Sequence, residues 1–184
     1  MIILRLKIIK PIYKFFILIL FLFLTGCTIK HDYVWNEYSI KPERISSQNV
    51  FTEGKKLKII KGKASDSNIL IGNVGVHHYY GSEQLITNGI VDQLIMELQN
   101  RRLQIKNEAI KSLEITVDRS HFERGAWKIA ATIEFTVKFG NGTSKSYSVR
   151  NSSPSTVDRT YNGAIALAVI EIINDPEIAN YINN

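Results

Sequence analysis

From Trp127 to Phe139 every odd position is apolar (Trp127, Ile129, Ala131, Ile133, Phe135, Val137, Phe139), while the even positions are mainly Lys128, Thr132, Glu134, Thr136 and Lys138. Successive side chains of an extended chain point to opposite faces, so this alternation predicts a strand with one buried and one wet face. Gly140-Asn141-Gly142 then offers residues that tolerate positive φ, and Ser144 to Arg150 resumes the pattern with Tyr147 and Val149 inward, which predicts a hairpin. Ahead of it, Leu113, Ile115 and Val117 alternate with Glu114, Thr116 and Asp118. A sheet built from such segments is antiparallel and covered on one side only.

Two helices are available as cover. Ser82 is placed to cap the first, in which Ile86, Ile90, Leu94 and Leu98, flanked by Val91 and Ile95, form a broad apolar stripe that ends at Asn100-Arg101-Arg102. The second starts near Ser155 and runs to Asn174. From Ala164 to Ile173 only Glu171 interrupts an apolar run, so this helix is expected to be enclosed nearly all round, which leaves room for a dimer. Asp175-Pro176-Glu177 stops it and starts a further turn. Leu57 to Ile60, Ile69 to Val76 and Leu103 to Lys106 read as additional strands. The expected fold is α+β, an antiparallel sheet with two main helices packed on one face, in the order β-β-α-β-β-β-β-α.

The amino terminus carries a different message. Arg5, Lys7, Lys10 and Lys14 precede an apolar run from Phe15 to Leu24, and Leu24-Thr25-Gly26-Cys27 follows. A basic region, an apolar core and small residues before a cleavage point make a secretory signal. The apolar core is about half of the ~20 residues that a membrane-spanning helix needs. Cys27 is the only cysteine of the chain, and its place after the small pair resembles the acylation box of bacterial lipoproteins. In such proteins the thiol is lipidated, the leader is removed, and two or three acyl chains hold the protein on a membrane surface without spanning it. Residues 1–27 are therefore read as a lipoprotein signal ending at its lipidated cysteine. Residues 28–52, polar and containing Pro42, are read as a tether, with Tyr33, Val34, Trp35 and Tyr38 either at the lipid interface or packed back on the domain. Residues 53–184 are read as a single α+β domain.

The chain has 23 Lys+Arg against 17 Asp+Glu, a net charge of +6. Four of those cations lie in the leader, so the excess falls to two without it, and nucleic-acid binding loses its main support. Lys55, Lys56, Lys58, Lys61 and Lys63 form a local basic run, read as a solvated edge.

Catalytic patterns are missing. There is no G-x-S-x-G elbow, H-E-x-x-H helix, C-x-x-C pair or G-x-x-x-x-G-K-[ST] loop, so no catalytic residue, cofactor or metal is implied. His77 and His78 are adjacent on an extended segment and face opposite ways, which disfavours a shared ion. His77-His78-Tyr79-Tyr80 reads as an edge strand or, more sharply, an aromatic groove rim. Asp118 and Glu123, with Arg119 and Arg124, read as a charged strand end rather than a carboxylate site.

The acylation box, the Ser82 to Arg102 helix followed by Leu103-Gln104-Ile105, the strands around Gly140-Asn141-Gly142, and the closing pattern from Thr160-Tyr161-Asn162-Gly163-Ala164 through Asn174-Asp175 to Ile182 together resemble the YajG family of Gram-negative lipoproteins. The segment Thr28 to Thr52 and the His77-His78 pair have no match in that pattern. The resemblance implies an outer-membrane lipoprotein, lipid-anchored through Cys27 on the periplasmic face, with a non-enzymatic binding or accessory role beside an envelope protein partner. Thr28, rather than aspartate, after the modified cysteine is in keeping with sorting to the outer membrane. The competing expectations are a peptidoglycan-acting hydrolase and an inhibitor or exclusion lipoprotein that binds a foreign protein.

Overall fold

The three strands read from sequence as the middle of the sheet form one continuous meander. In the computed structural model, which describes residues 27–46 and 51–184, β6 (Ser112–Arg124), β7 (Ile129–Phe139) and β8 (Ser144–Ser153) pair antiparallel in turn. The alternation of β7 works as expected: Ile129, Ala131, Ile133, Phe135, Val137 and Phe139 are buried. Trp127 is the exception. It lies before the strand begins, in the turn between β6 and β7, and is 89% exposed.

Two further strands extend this sheet on the β6 side. β2 (Lys56–Lys61) joins β6 in parallel, and β5 (Gln104–Ile105) joins β2 in parallel, giving the order β5-β2-β6-β7-β8. The α+β class holds, but the sheet is mixed rather than purely antiparallel, because crossovers separate β2 from both of its neighbours. Both long helices lie on one face of this sheet. α1 (Glu83–Asn100) packs on β6, and α2 (Val157–Asn174) packs on β7 and β8. Ser82 caps α1 as expected, its side chain accepting from Leu85 N at 3.1 Å. Thr156, rather than Ser155, caps α2, accepting from Arg159 N. α3 (Pro176–Asn183) follows at once.

A second sheet, with the order β1-β4-β3, consists of β1 (Ile29–Asp32), β3 (Ile69–Val74) and β4 (His77–Gly81). The expected strand from Ile69 to Val76 ends early because the chain reverses at Gly75, whose φ of 60° is a left-handed conformation. This sheet lies against the far half of β6 and the start of α2. Gly72 marks the contact: a side chain there would press on Val157 and Phe122.

In the segment read as a tether, the second of the two placements offered for its aromatic residues holds for Tyr33 and Trp35. Several of its described side chains reach the domain: Tyr33 and Phe51 are buried, and Trp35, Ile40 and Ile45 pack against the core, whereas Val34 and Tyr38 stay exposed. The near-complete enclosure of α2 is thus met from within the chain. The sheet covers one side, α1 another, and residues 33–45 run over the rest. Aromatic side chains in a polar segment gain far more by burial than by exposure, roughly 2 kcal/mol or more each.

Candidate functional site

Cys27 is exposed and stands two residues ahead of the first residue of β1. From there the chain follows α2 in the same direction. The Tyr33 hydroxyl donates to Asn162 Oδ1 at 2.7 Å, and its ring lies 5.7 Å from that of Tyr161. Trp35 sits against Gly89 of α1 beside Ile165 of α2. Gln93 donates to Tyr38 O. Asn174, at the end of α2, accepts from Ser46 N at 2.8 Å and donates to Arg44 O at 3.1 Å. Burial pushes the Tyr33 phenol far above its usual range, with the negative charge of Asp158 and the Tyr161 hydroxyl adding to it. Tyr161, donating to Ile71 O at 3.1 Å, is pushed by burial to about 12. Both phenols therefore remain neutral donors that fasten strands to α2.

The histidines and tyrosines of the small sheet divide between its faces as the two-residue period requires. On one face His31 Nε2 and His77 Nδ1 are 2.8 Å apart, one donating and the other accepting, and His31 stacks on Tyr79 with 4.9 Å between ring centres. On the other face Lys30 Nζ lies 5.7 Å over the Tyr80 ring. His77-His78-Tyr79-Tyr80 is not an edge strand, since β1 pairs with it on one side and β3 on the other. Among the described residues no three of His, Cys, Asp and Glu are gathered closely enough to hold a metal. A shallow depression of about 290 Å³ opens between this sheet and α1, lined by Asp32, Asp66, Asn68, Tyr80, Ser82 and Asn88 among others. Its serine hydroxyl, Ser82 Oγ, is engaged with Leu85 N and Asp66.

The charged end of β6 resolves into ion pairs. Arg150 lies 2.5 Å from Glu123 and holds that carboxyl below the usual range, and Arg119 pairs with Glu134 at 3.2 Å. Asp118 accepts from Thr136 Oγ1 at 2.8 Å, whereas Glu123 stands opposite Ala130. The two lie five positions apart on β6, about 16 Å of strand, so the carboxylates do not converge. Of the basic run, Lys61 pairs with Asp92 at 2.8 Å. Gly140-Asn141-Gly142 is a turn: Asn141 Oδ1 accepts from Thr143 N and Oγ1.

Two polar sites escaped the sequence reading. One is Tyr33–Asn162, whose only sequence trace is the aromatic density of residues 33–38. The other is Asp175, between α2 and α3. Its carboxylate accepts from Lys145 Nζ at 2.6 Å, the Tyr147 hydroxyl at 2.7 Å and Glu177 N at 2.8 Å. Burial would raise its pKa, but these partners outweigh burial and hold the carboxyl below the ordinary range.

No protein-family model matches the chain, and no curated protein does. Among solved structures it is similar to the crystal structure of a Xanthomonas campestris protein of family DUF330, with a TM-score of 0.53 and 16% identity over 84% of this chain and 96% of that one. At that identity the likeness is one of fold. Among the described residues no helix is long and apolar enough to cross a membrane.

Proposed function

We propose that the chain is a lipid-anchored lipoprotein of the periplasmic face of the outer membrane, a non-enzymatic binding or accessory module of the cell envelope related to the YajG-like lipoproteins. The observation that carries this reading is Cys27. It closes a leader and acylation box, its thiol is exposed, and a folded strand begins two residues later. The fold shared with a DUF330 protein is compatible with this reading. A domain whose strand ends are occupied by ion pairs and whose buried tyrosines serve as ties is better suited to presenting surfaces than to moving protons. The Cys27→Ser chain is expected to remain an uncleaved, unacylated precursor. Normal lipid labelling and unchanged membrane fractionation of that variant would overturn the anchor.

An inhibitor or exclusion role is favoured by one observation, the ten-residue edge strand β8. An edge of that length presents unpaired backbone groups to which a foreign strand can add. Co-purification from detergent-solubilised membranes separates the two readings: an envelope protein of the same cell supports the accessory module, and a foreign protein supports the inhibitor.

A further inference from the structure

Three separate pieces of chain emerge at one pole of the domain, beyond the first turn of α2. β8 leads directly into α2, and its last residue, Ser153, pairs with Ile129, which in turn pairs with Arg124. The β6–β7 turn, residues 125–128, therefore projects from this pole. β1 follows α2 from its start, with Tyr33 already level with Asn162, so Cys27 lies at the same end. Ile29 N donates to Val76 O at 2.8 Å, which brings the β3–β4 turn there too.

All three pieces expose apolar side chains. Trp127 is 89% exposed, Val76 48%, Ile29 46% and Val74 37%. Arg124, the last residue of β6, and Lys128, next to Trp127, stand at the two ends of the turn. Other exposed large apolar side chains, Val34, Tyr38, Ile69, Leu70 and Ile110, lie outside these three pieces.

We propose that this pole is a membrane-contacting face, in which Trp127, Val74, Val76 and Ile29 enter the boundary between headgroups and acyl chains while Arg124 and Lys128 meet anionic headgroups. The inference rests on the anchored reading above. Its occupant follows from chain length: the two residues from Cys27 to Ile29 span at most about 7 Å, so an acylated Cys27 holds this pole against the bilayer whatever binds elsewhere. Tryptophan is favoured at that boundary, and cations beside it gain from the negative surface potential. The domain then stands on the membrane with α2 pointing away from it.

The test uses the full acylated protein in phosphatidylethanolamine–phosphatidylglycerol vesicles doped with a phosphatidylcholine brominated on its acyl chains. The chain has two tryptophans, so subtracting the emission of the Trp127→Phe protein isolates Trp127. The expected result is a blue-shifted Trp127 emission that is lost to the brominated lipid and protected from aqueous iodide. Intact mass and vesicle sedimentation are read on the same sample. A lipidated, vesicle-bound protein whose Trp127 ignores the brominated lipid and is fully quenched by iodide refutes the face and leaves the anchor standing. A chain with no lipid on Cys27 that does not sediment with vesicles refutes both.

Discussion

Single residues decide where the amino-terminal segment lies. The Tyr33 hydroxyl is a buried donor facing a buried acceptor on Asn162. Tyr33→Phe leaves that acceptor with one partner fewer, which costs about 1–3 kcal/mol. Denaturant unfolding at neutral pH should show a lower midpoint, and an unchanged midpoint would mean that the bond holds nothing. Gly89 offers a sharper case. Glycine inside a helix is about 1 kcal/mol worse than alanine, yet a β-carbon there would stand 2.8 Å from Trp35 Cδ1 and 3.0 Å from Ile165 Cδ1. Overpacking of that kind costs ~1–3 kcal/mol, so Gly89→Ala is expected to lower the melting temperature. Combining it with Trp35→Ala should be less damaging than the sum of the two. Strict additivity in that double-mutant cycle would place Trp35 away from the helix.

At the scale of elements, Asp175 is the joint between α2, α3 and β8. It caps α3 through Glu177 N and Ile178 N while Lys145 and Tyr147 of β8 reach it from the sheet. Its pKa is lowered from the usual 3.8. A carboxyl more acidic in the folded than in the unfolded chain binds fewer protons when folded. Its contribution is therefore complete above about pH 4 and disappears as the pH falls through the lower folded value. Stability of the natural chain should decline across that acidic window, and Asp175→Asn should be weaker at neutral pH with a shallower acidic decline. Parallel stability profiles for the two proteins below pH 4 would contradict the role. The helix break at this point was legible from Asp175-Pro176, since proline suits a first helical turn. The reach of β8 to the joint was not, because nothing local relates Lys145 to a residue thirty positions on.

For the molecule as a whole, the decisive feature is that the chain from β1 to Ile45 is tied to the domain. A free tether would be the first site of cleavage by a protease. Here β1 is hydrogen-bonded to β4, and Tyr33, Trp35 and Ile45 lie on the core. Limited proteolysis under native conditions should therefore spare Tyr33 to Ile45, and mapping the earliest cut into that stretch would restore the tether. The packing also gives the domain a fixed orientation with respect to Cys27. An acyl chain on a flexible tether leaves a domain free to tumble, whereas one attached beside a strand end holds a particular pole towards the bilayer.

The residue pattern alone was enough for the β6–β7–β8 meander, both long helices, the cap at Ser82 and the α+β class, because periods of 2 and 3.6 are imposed locally by whichever face must leave water. The same local information is the whole basis for the proposed acylation of Cys27. Tertiary structure alone decided that β2 enters the sheet in parallel, that β4 is flanked by β1 and β3, that Trp127 escapes the buried face, and that the supposed tether closes over α2. Those outcomes depend on which distant surfaces compete for the same apolar face. An alternating pattern records that a side chain is to be buried, and contains nothing about the partner that buries it.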